Sequence, residues 1–378
     1  MAKPTVAEQC RQLIDKYQFK AALALLEEQP NAFTDKLEYY MLQSQAYVNI
    51  GKGELALETA QKALDIDPQN ARALWCRGNA YRDLKRYAEA IEDYQAAIVI
   101  TPDFAKPYNG LGIVYSDQKE YAKAIEQYEL AIAKDPGYAA AYCNLGSVYY
   151  DQKEYAKAIE QYELAIAKDP DHTGAYYNAG VVYYFKKEYG KAIKQYEQAI
   201  LKGSDSAYPH NGLGSVYSEQ KEYAKAIEQY SLAIAKDQNF TDPNNGLGNV
   251  YYVQRDYTKA LEQYRLAIKK DPDYANAYNG LGNVYKAQRE YAKAIGYYSE
   301  AIEKNSKAAM YFRNRGDAYR AIQDYDNAIA DYDRALELDP EDSWTTQRRN
   351  EALALQGKYK AIKVDDKEKV RSPNSSKP

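Results

Sequence analysis

The fold is decided by one stretch of this sequence, Gln118-Lys-Glu-Tyr-Ala-Lys-Ala-Ile-Glu-Gln-Tyr-Glu-Leu-Ala-Ile-Ala-Lys-Asp-Pro136. The same residues recur unchanged from Gln152 to Pro170, so the two copies lie 34 residues apart. Repeats of this length follow one another without insertion from residue 3 to residue 342, and an incomplete repeat comes after them. A fixed period of this size indicates a solenoid, in which each repeat buries its apolar face only against its neighbours.

Each repeat is predicted to form two antiparallel helices. Small and apolar residues recur with helical spacing on either side of a short polar break. In the repeat 105–138 these residues are Tyr108, Leu111, Gly112 and Tyr115 before the break, and Tyr121, Ala124, Ile125, Tyr128, Ala131 and Ile132 after it. Pro136 ends the second helix, because proline cannot continue an interior helical turn.

Residues at matching positions of successive repeats form columns of constant chemistry. Two columns hold small residues, which allow helices to approach closely; they run from Gly78 to Gly316 and from Ala90 to Ala328. The chain also has 42 tyrosines, and many of them fall in three further columns, which run from Tyr47 to Tyr319, from Tyr87 to Tyr359 and from Tyr94 to Tyr332. An aromatic stripe at helical spacing favours a core role, with the phenolic oxygens reaching the wet rim of a core that is only two helices thick.

These columns resemble the signature of the tetratricopeptide repeat family. The matching residues in the repeat 139–172 are Tyr142, Leu145, Gly146, Tyr149, Ala158, Tyr162, Ala165 and Pro170. The resemblance implies an all-α fold, a right-handed superhelical solenoid of antiparallel helix pairs. It also implies that the first helix of each pair lines a concave surface and the second helix a convex one.

One column departs from the family pattern. The family often has glycine in the turn inside each hairpin, and Gly51 and Gly357 keep it. Most repeats instead have a basic residue there: Lys119, Lys153, Lys187, Lys221, Arg255 and Arg289. Because a left-handed conformation costs a non-glycine residue about 1–2 kcal/mol, the sequence predicts that these turns are built differently.

The ends of the chain differ from its middle. Residues 3–36 are expected to form a degenerate N-terminal capping repeat, followed by nine tandem repeats over 37–342. A C-terminal capping helix is predicted at 343–362, and a disordered tail at 363–378, where apolar residues are few. The segment 203–209 has Ser204 at the position where Pro136 and Pro170 end the second helix. The missing helix-ending proline favours a soft joint at that point.

Composition limits the function classes. A net charge of −4 and a pI near 5.6 argue against nucleic acid as the main partner. No apolar run approaches the length of a membrane span, and three cysteines in three different repeats indicate free thiols in a reducing, cytoplasmic setting. The two histidines have no partner at metal-ligand spacing, so we predict no metal, no cofactor and no catalytic residue.

The first helices also carry a stripe at i, i+4 and i+7 that faces away from the packing columns. If these helices line a groove, the stripe is its wall, and we name it the first-helix stripe. Its candidate peptide-binding residues are Arg82, Tyr150, Tyr177, Tyr184, Asn211, Asn245, Asn249, Tyr252, Asn279, Asn283, Arg313 and Arg320. Asparagine can hydrogen-bond the backbone of any extended peptide, and tyrosine offers a large contact with a polar tip. Both residue types are also frequent on this face in the family generally.

Arginines cluster at both ends of the array. Arg77 and Arg315 replace the usual leucine of the packing face. Their guanidinium groups either extend out of that face or form an acidic anchor site, meaning a site that binds a carboxylate of a ligand. Taken together, the sequence predicts a non-catalytic scaffold that binds extended peptide or protein segments in a concave groove. Three alternatives stay open at this point: a homo-oligomerising assembly platform, a regulatory or adaptor subunit of an enzyme encoded elsewhere and, least favoured, an enzyme in its own right.

Overall fold

The computed structural model describes residues 4–15 and 18–371, and in this part of the chain it consists of helices and connecting turns without a strand. Contacts divide the chain into an N-terminal unit, Met1–Gly203, and a C-terminal unit, Ser204–Pro378. Each unit is a succession of antiparallel helix pairs, so the predicted all-α class and the pairing of helices are confirmed.

The N-terminal unit contains twelve α-helices and one 3₁₀ helix (Pro30–Ala32) in its described residues. The α-helices are α1 (Val6–Asp15), α2 (Phe19–Glu28), α3 (Lys36–Asn49), α4 (Gly53–Ile66), α5 (Ala71–Asp83), α6 (Tyr87–Ile100), α7 (Ala105–Asp117), α8 (Tyr121–Lys134), α9 (Ala139–Asp151), α10 (Tyr155–Lys168), α11 (Thr173–Phe185) and α12 (Tyr189–Leu201).

The C-terminal unit contains nine α-helices in its described residues. They are α13 (Tyr208–Glu219), α14 (Tyr223–Lys236), α15 (Asp242–Val253), α16 (Tyr257–Lys270), α17 (Ala275–Ala287), α18 (Tyr291–Lys304), α19 (Ala309–Ala321), α20 (Tyr325–Leu338) and α21 (Ser343–Arg371). The boundary between the two units follows Gly203, which has a φ of +89° and lies in the predicted joint 203–209.

In the repeats from 71 to 342, the core forms where a tyrosine of the second helix lies against a glycine of the first. A Cβ atom added to Gly112 would lie 2.5 Å from Cε1 of Tyr128, which is closer than atoms can approach. The tyrosines of this column and the alanines of the column from Ala90 to Ala328 are buried in every repeat from 71 to 342. The small-residue columns therefore make room for an aromatic ring between the two helices.

The prediction about the hairpin turns is wrong. The basic residues adopt the left-handed conformation that glycine would have taken, with φ between 58° and 65° at eight non-glycine positions from Lys85 to Gln323. Gly51 occupies the same position in the repeat 37–70, with a φ of +72°. Each turn is closed by backbone hydrogen bonds, such as the bond from the N–H of Glu120 to the carbonyl of Tyr115 at 2.8 Å, and these bonds hold the strained residue in place.

The C-terminal helix is longer than the sequence predicts. α21 runs to Arg371, so residues 363–371 are helical where disorder is expected, and the remainder of the predicted tail lies outside the described residues. This segment contains neither glycine nor proline, and lysine and glutamate favour helix. In the part of the chain that the structure describes, no helix combines the length and the apolar composition of a membrane span.

Candidate functional site

The middle position of the first-helix stripe is tied to the core. In six repeats the hydroxyl of the buried tyrosine donates a hydrogen bond to the side chain at this position, 15 residues earlier. The pairs are Tyr94–Asn79 (2.7 Å), Tyr162–Ser147 (3.2 Å), Tyr230–Ser215 (3.2 Å), Tyr264–Asn249 (2.8 Å), Tyr298–Asn283 (2.8 Å) and Tyr332–Asp317 (2.9 Å). We call each of these bonds a tyrosine tie. The expectation that these hydroxyls stay wet at the rim is therefore wrong for these repeats.

The tyrosine tie fixes the orientation of two predicted site residues, Asn249 and Asn283. The aspartate in the same column, Asp317, can only accept a hydrogen bond when it is ionised. The tyrosine hydroxyl is therefore the donor in this geometry, and the amide oxygens of Asn249 and Asn283 are the acceptors. Their Nδ2 groups have no hydrogen-bond partner among the described residues, so each asparagine has two free N–H donors.

The first position of the stripe forms a second row of amides between neighbouring repeats. Asn279 accepts a hydrogen bond from Nδ2 of Asn314 at 2.8 Å, and Asn109 accepts one from Asn144 at 3.0 Å. The donor lies 35 residues after the acceptor. Asn211 and Asn245 have glycine at that distance, and their buried Oδ1 atoms have no partner among the described residues. An unpaired buried acceptor costs about 1–3 kcal/mol, so these two amides are held at the expense of stability.

The aromatic residues of the stripe form small groups inside each unit. Tyr150 lies 5.9 Å from Phe185 and Tyr184 lies 5.7 Å from the same ring. Tyr177 contacts the buried Tyr196, with their ring centroids 5.9 Å apart. Burial raises the pKa of the Tyr150 hydroxyl, and Tyr155 raises it further. In the C-terminal unit, Tyr252 lies 6.1 Å from Tyr257, and burial again raises its pKa.

The arginines that replace the packing-face leucine are not free anchors. Arg77 donates two hydrogen bonds to Asp93, at 2.8 and 2.7 Å, and Arg315 donates two to Asp331 at the same distances. Both aspartates are buried. The predicted acidic anchor site at Arg77 and Arg315 is therefore wrong, since each guanidinium is already occupied by a carboxylate of its own repeat.

The predicted site arginines near the C-terminus are also paired. Arg313 contacts Asp342 at 3.1 Å and Arg320 contacts Glu351 on α21 at 3.2 Å. The Arg313 guanidinium further lies 5.3 Å from the Trp344 ring. Arg82, in the N-terminal unit, makes no hydrogen bond or ion pair with the described part of the chain. Arg313 and Arg320 are thus each paired with a carboxylate of the chain, whereas Arg82 is not.

The thiol and imidazole groups have structural surroundings. Burial raises the pKa of the Cys76 and Cys143 thiols to about 12. His172 accepts a hydrogen bond from the N–H of Ala175 at 3.1 Å and so begins α11. Among the described residues no three histidine, cysteine, aspartate or glutamate side chains lie together as a metal site would require.

The structure brings the predicted residues into two separate groups. Tyr150, Tyr177 and Tyr184 belong to the N-terminal unit, whereas the asparagines and Tyr252 belong to the C-terminal unit. Sequence reasoning missed Phe185, which extends the aromatic group and is exposed. A signal for it exists in the sequence, because most other repeats have a charged residue or alanine at that position.

Comparison with known proteins places this architecture in a family. A family model described as "Tetratricopeptide repeat" matches residues 109–173, 143–209, 177–239, 245–309 and 281–343. A second model of that description matches 37–70, and one described as "TPR repeat" matches 78–119. No curated protein matches the chain in sequence.

Several solved structures resemble this one in fold. The APC/C hetero-tetramer Cut9–Hcn1 has a TM-score of 0.58 at 16% identity, over 92% of this chain and 83% of that chain. Yeast Tom70 has a TM-score of 0.55 at 14% identity, over 95% and 98%. A tetratricopeptide repeat protein from Parabacteroides merdae has a TM-score of 0.56 at 16% identity, over 66% and 98%. With the family models covering most of the repeats, the chain belongs to the tetratricopeptide repeat family.

Proposed function

We propose that this protein is a non-catalytic scaffold that binds extended polypeptide segments along its first-helix stripe. The observation that carries the proposal is the orientation of Asn249 and Asn283. Each amide oxygen is held by a tyrosine hydroxyl at 2.8 Å, while the amide N–H groups have no partner among the described residues. Each of the two side chains therefore presents its two N–H donors in a fixed direction, with one such side chain per repeat, and we call Asn249 and Asn283 the amide row.

Fixed donors at one-repeat spacing suit the backbone carbonyls of an extended chain. A carboxamide whose oxygen is already held loses little conformational freedom when its N–H group donates a hydrogen bond to a ligand. This lowers the entropic cost of binding. Backbone carbonyls are present in every peptide, so such a row holds a segment without reading its sequence. Selectivity then has to come from other side chains, such as Tyr252 in the C-terminal unit or the aromatic group of the N-terminal unit.

The experiment starts with affinity capture by the full chain and synthesis of the recovered peptide segments. Two double variants then separate the donor role from the tyrosine tie. Asn249→Asp with Asn283→Asp keeps the acceptor for tyrosine, as Asp317 does, but removes both donors. Asn249→Ser with Asn283→Ser also keeps an acceptor, as Ser147 and Ser215 do, without adding charge.

Both double variants should remain folded and bind unrelated captured peptides more weakly, by about 0.5–1.5 kcal/mol per lost hydrogen bond. A matched control is Glu262→Gln on the second helix α16. If the serine and aspartate variants bind every captured segment with unchanged affinity, the amide row is not the binding surface. Sedimentation at several concentrations then decides whether self-association takes its place.

A further inference from the structure

An exposed aromatic and basic patch lies at two hairpin turns of the N-terminal unit. Phe185 ends α11 and is 54% exposed, although it is a large apolar side chain. Its ring lies 5.9 Å from Tyr150 and 5.7 Å from Tyr184, so three rings form one surface. Lys153 and Lys187, at the tips of the same two turns, are exposed. We name these five residues the aromatic–basic patch.

Comparison with the other repeats shows that Phe185 is not required by the fold. Of the equivalent positions in the other repeats, four hold a carboxylate and the rest hold other residues: Asp83, Asp117, Asp151 and Glu219, then Asn49, Val253, Ala287 and Ala321. A solvated carboxylate is therefore compatible with this turn, and the phenylalanine ring gains little burial there. Phe185 continues the surface of Tyr150 and Tyr184, and contiguous exposed apolar surface marks interaction sites.

The charge of the turn changes together with the aromatic residue. Residues 184–191 contain three lysines and one glutamate, whereas 116–123, 150–157 and 218–225 each contain two lysines and two carboxylates. The single glutamate, Glu188, is shared by Lys186 at 2.8 Å and Lys191 at 2.6 Å. The repeat that gains a phenylalanine thus loses an acid and gains a base.

The two lysines of the patch are available to a ligand. Neither the Lys153 nor the Lys187 ammonium group forms a hydrogen bond or an ion pair with the part of the chain that the structure describes. Asp151, the neighbour of Tyr150 in the chain, interacts with Lys119 of the preceding turn. Free cations therefore flank an exposed ring surface on both turns.

We propose that the aromatic–basic patch binds an acidic polypeptide segment in which a large apolar side chain lies between carboxylates. The apolar side chain covers Phe185 and Tyr184, and the carboxylates pair with Lys153 and Lys187. A peptide is favoured over a nucleic acid because the patch offers only two unpaired lysines, which match two carboxylates, whereas a nucleic acid is held by many cations along its phosphate backbone. The proposal rests on the scaffold function, because Tyr150 and Tyr184 belong to the first-helix stripe, and it deepens that function by naming the chemistry of the segment bound in the N-terminal unit. It does not use Asn249 or Asn283, so the two can fail separately.

The repeats themselves supply variants that keep the fold. Phe185→Asp introduces the residue of Asp117 and Asp151, Tyr184→Ser that of Ser116 and Ser218, and Lys187→Gln that of Gln323. Each replacement already occupies its position in a folded repeat of this chain. Val99→Ala is the matched control, because Val99 is 79% exposed in the same unit and its column holds Ala133 and Ala167.

The probe is a fluorescein-labelled peptide with one tryptophan flanked on each side by two glutamates, and its binding to the full chain is measured by fluorescence anisotropy. Phe185→Asp should weaken binding about tenfold or more, as the loss of an aromatic anchor does. Lys187→Gln should weaken it about twofold to fivefold and reduce its salt dependence. Val99→Ala and the double variant Asn249→Asp with Asn283→Asp should bind the probe as the parent chain does.

Four outcomes overturn the proposal. The first is equal affinity of the parent chain and Phe185→Asp for the probe. The second is equal affinity of the parent chain for a probe with alanine in place of tryptophan, or lysines in place of the glutamates. The third is displacement of the probe by a single-stranded oligonucleotide of matched charge at lower concentration than by unlabelled peptide, which would assign the patch to nucleic acid. Loss of probe binding in the Asn249 and Asn283 variant alone would assign the probe to the amide row instead.

Discussion

The two units use the same buried tyrosine in different ways. In the C-terminal unit four successive repeats have an acceptor for its hydroxyl, namely Ser215, Asn249, Asn283 and Asp317. In the N-terminal unit the acceptors are Asn79 and Ser147, and Ile113 and Val181 stand at the positions between and after them. The hydroxyls of Tyr128 and Tyr196 consequently have no partner among the described residues. The ring is thus common to all repeats from 71 to 342, whereas the tyrosine tie is an addition that some of them lack.

The largest loss of stability should come from removing the buried tyrosine ring, which both units share. Tyr264→Ala and Tyr196→Ala should each cost about 3–5 kcal/mol, because a fully buried aromatic side chain leaves a cavity between two helices. Hydrogen exchange should show the loss locally, in α15–α17 for Tyr264→Ala and in α11 and α12 for Tyr196→Ala, since stacked repeats are stabilised by their neighbours. Uniform loosening of all described helices would contradict a local core.

Removing only the hydroxyl of the buried tyrosine should affect the stability of the two units differently. Tyr264→Phe breaks the bond to Asn249 and should lower the free energy of unfolding by about 0.5–1.5 kcal/mol. Tyr196→Phe breaks no bond within the described residues and should change stability little. Chemical denaturation of the two variants side by side measures the difference, and equal losses would mean that the tyrosine tie contributes nothing.

A third difference concerns pH and rests on His172 in the N-terminal unit. Burial lowers the pKa of His172, and its neutral ring accepts the hydrogen bond that begins α11. A folded pKa below the unfolded value means that the unfolded chain binds the extra proton, so stability is intact above about pH 6.5 and falls as the pH drops from there through the folded pKa. The decrease in the free energy of unfolding should approach the contribution of a helix N-cap, about 1 kcal/mol.

His172→Asn provides the control for this prediction. Asn70 stands in the same column and caps α5 through its side chain, so asparagine should keep the cap without titrating. Thermal unfolding between pH 7.5 and pH 5 should show a smaller decrease in the variant than in the parent chain. Identical pH profiles would remove His172 as the cause.

The smallest effect is expected at the hairpin turns, which both units build alike. Lys119→Gly should raise stability by about 0.5–1 kcal/mol, because the relief of left-handed strain exceeds the added entropy of glycine in the unfolded chain. Gly51→Lys, at the same position of an earlier repeat, should lower stability by a similar amount. Denaturation midpoints that move in the same direction for both variants would contradict the strain argument.

The repeat period made the helix pairs predictable, because it carries both the spacing of apolar residues and the position of each break. α7 and α9 begin at Ala105 and Ala139, which are 34 residues apart, as the two copies of the sequence require. The all-α architecture needs only these local signals and the contact of each repeat with the next. The turn conformation was missed because the sequence shows a cost at Lys119 but not the backbone bonds that keep it there.

The candidate site was predictable only in part. The sequence places Asn249 and Asn283 on one helix face, but which hydroxyl each amide meets depends on how closely the two helices cross. The Arg77–Asp93 pair was readable in principle. Among the repeats from 71 to 342, only 71–104 and 309–342 have arginine at this position, and only they have aspartate 16 residues later. Comparing columns in pairs, instead of one at a time, gives this contact.

Both partners of each buried arginine–aspartate pair lie inside one repeat, Arg77 with Asp93 and Arg315 with Asp331. A genetic duplication or deletion of whole repeats between residues 105 and 308 would leave both pairs intact. No buried charge would lose its partner. The two identical copies of 118–136 show that sequence can spread between neighbouring repeats without loss of the pattern. The number of repeats in the array can therefore change during evolution while the repeats that hold the two buried pairs, 71–104 and 309–342, stay the same.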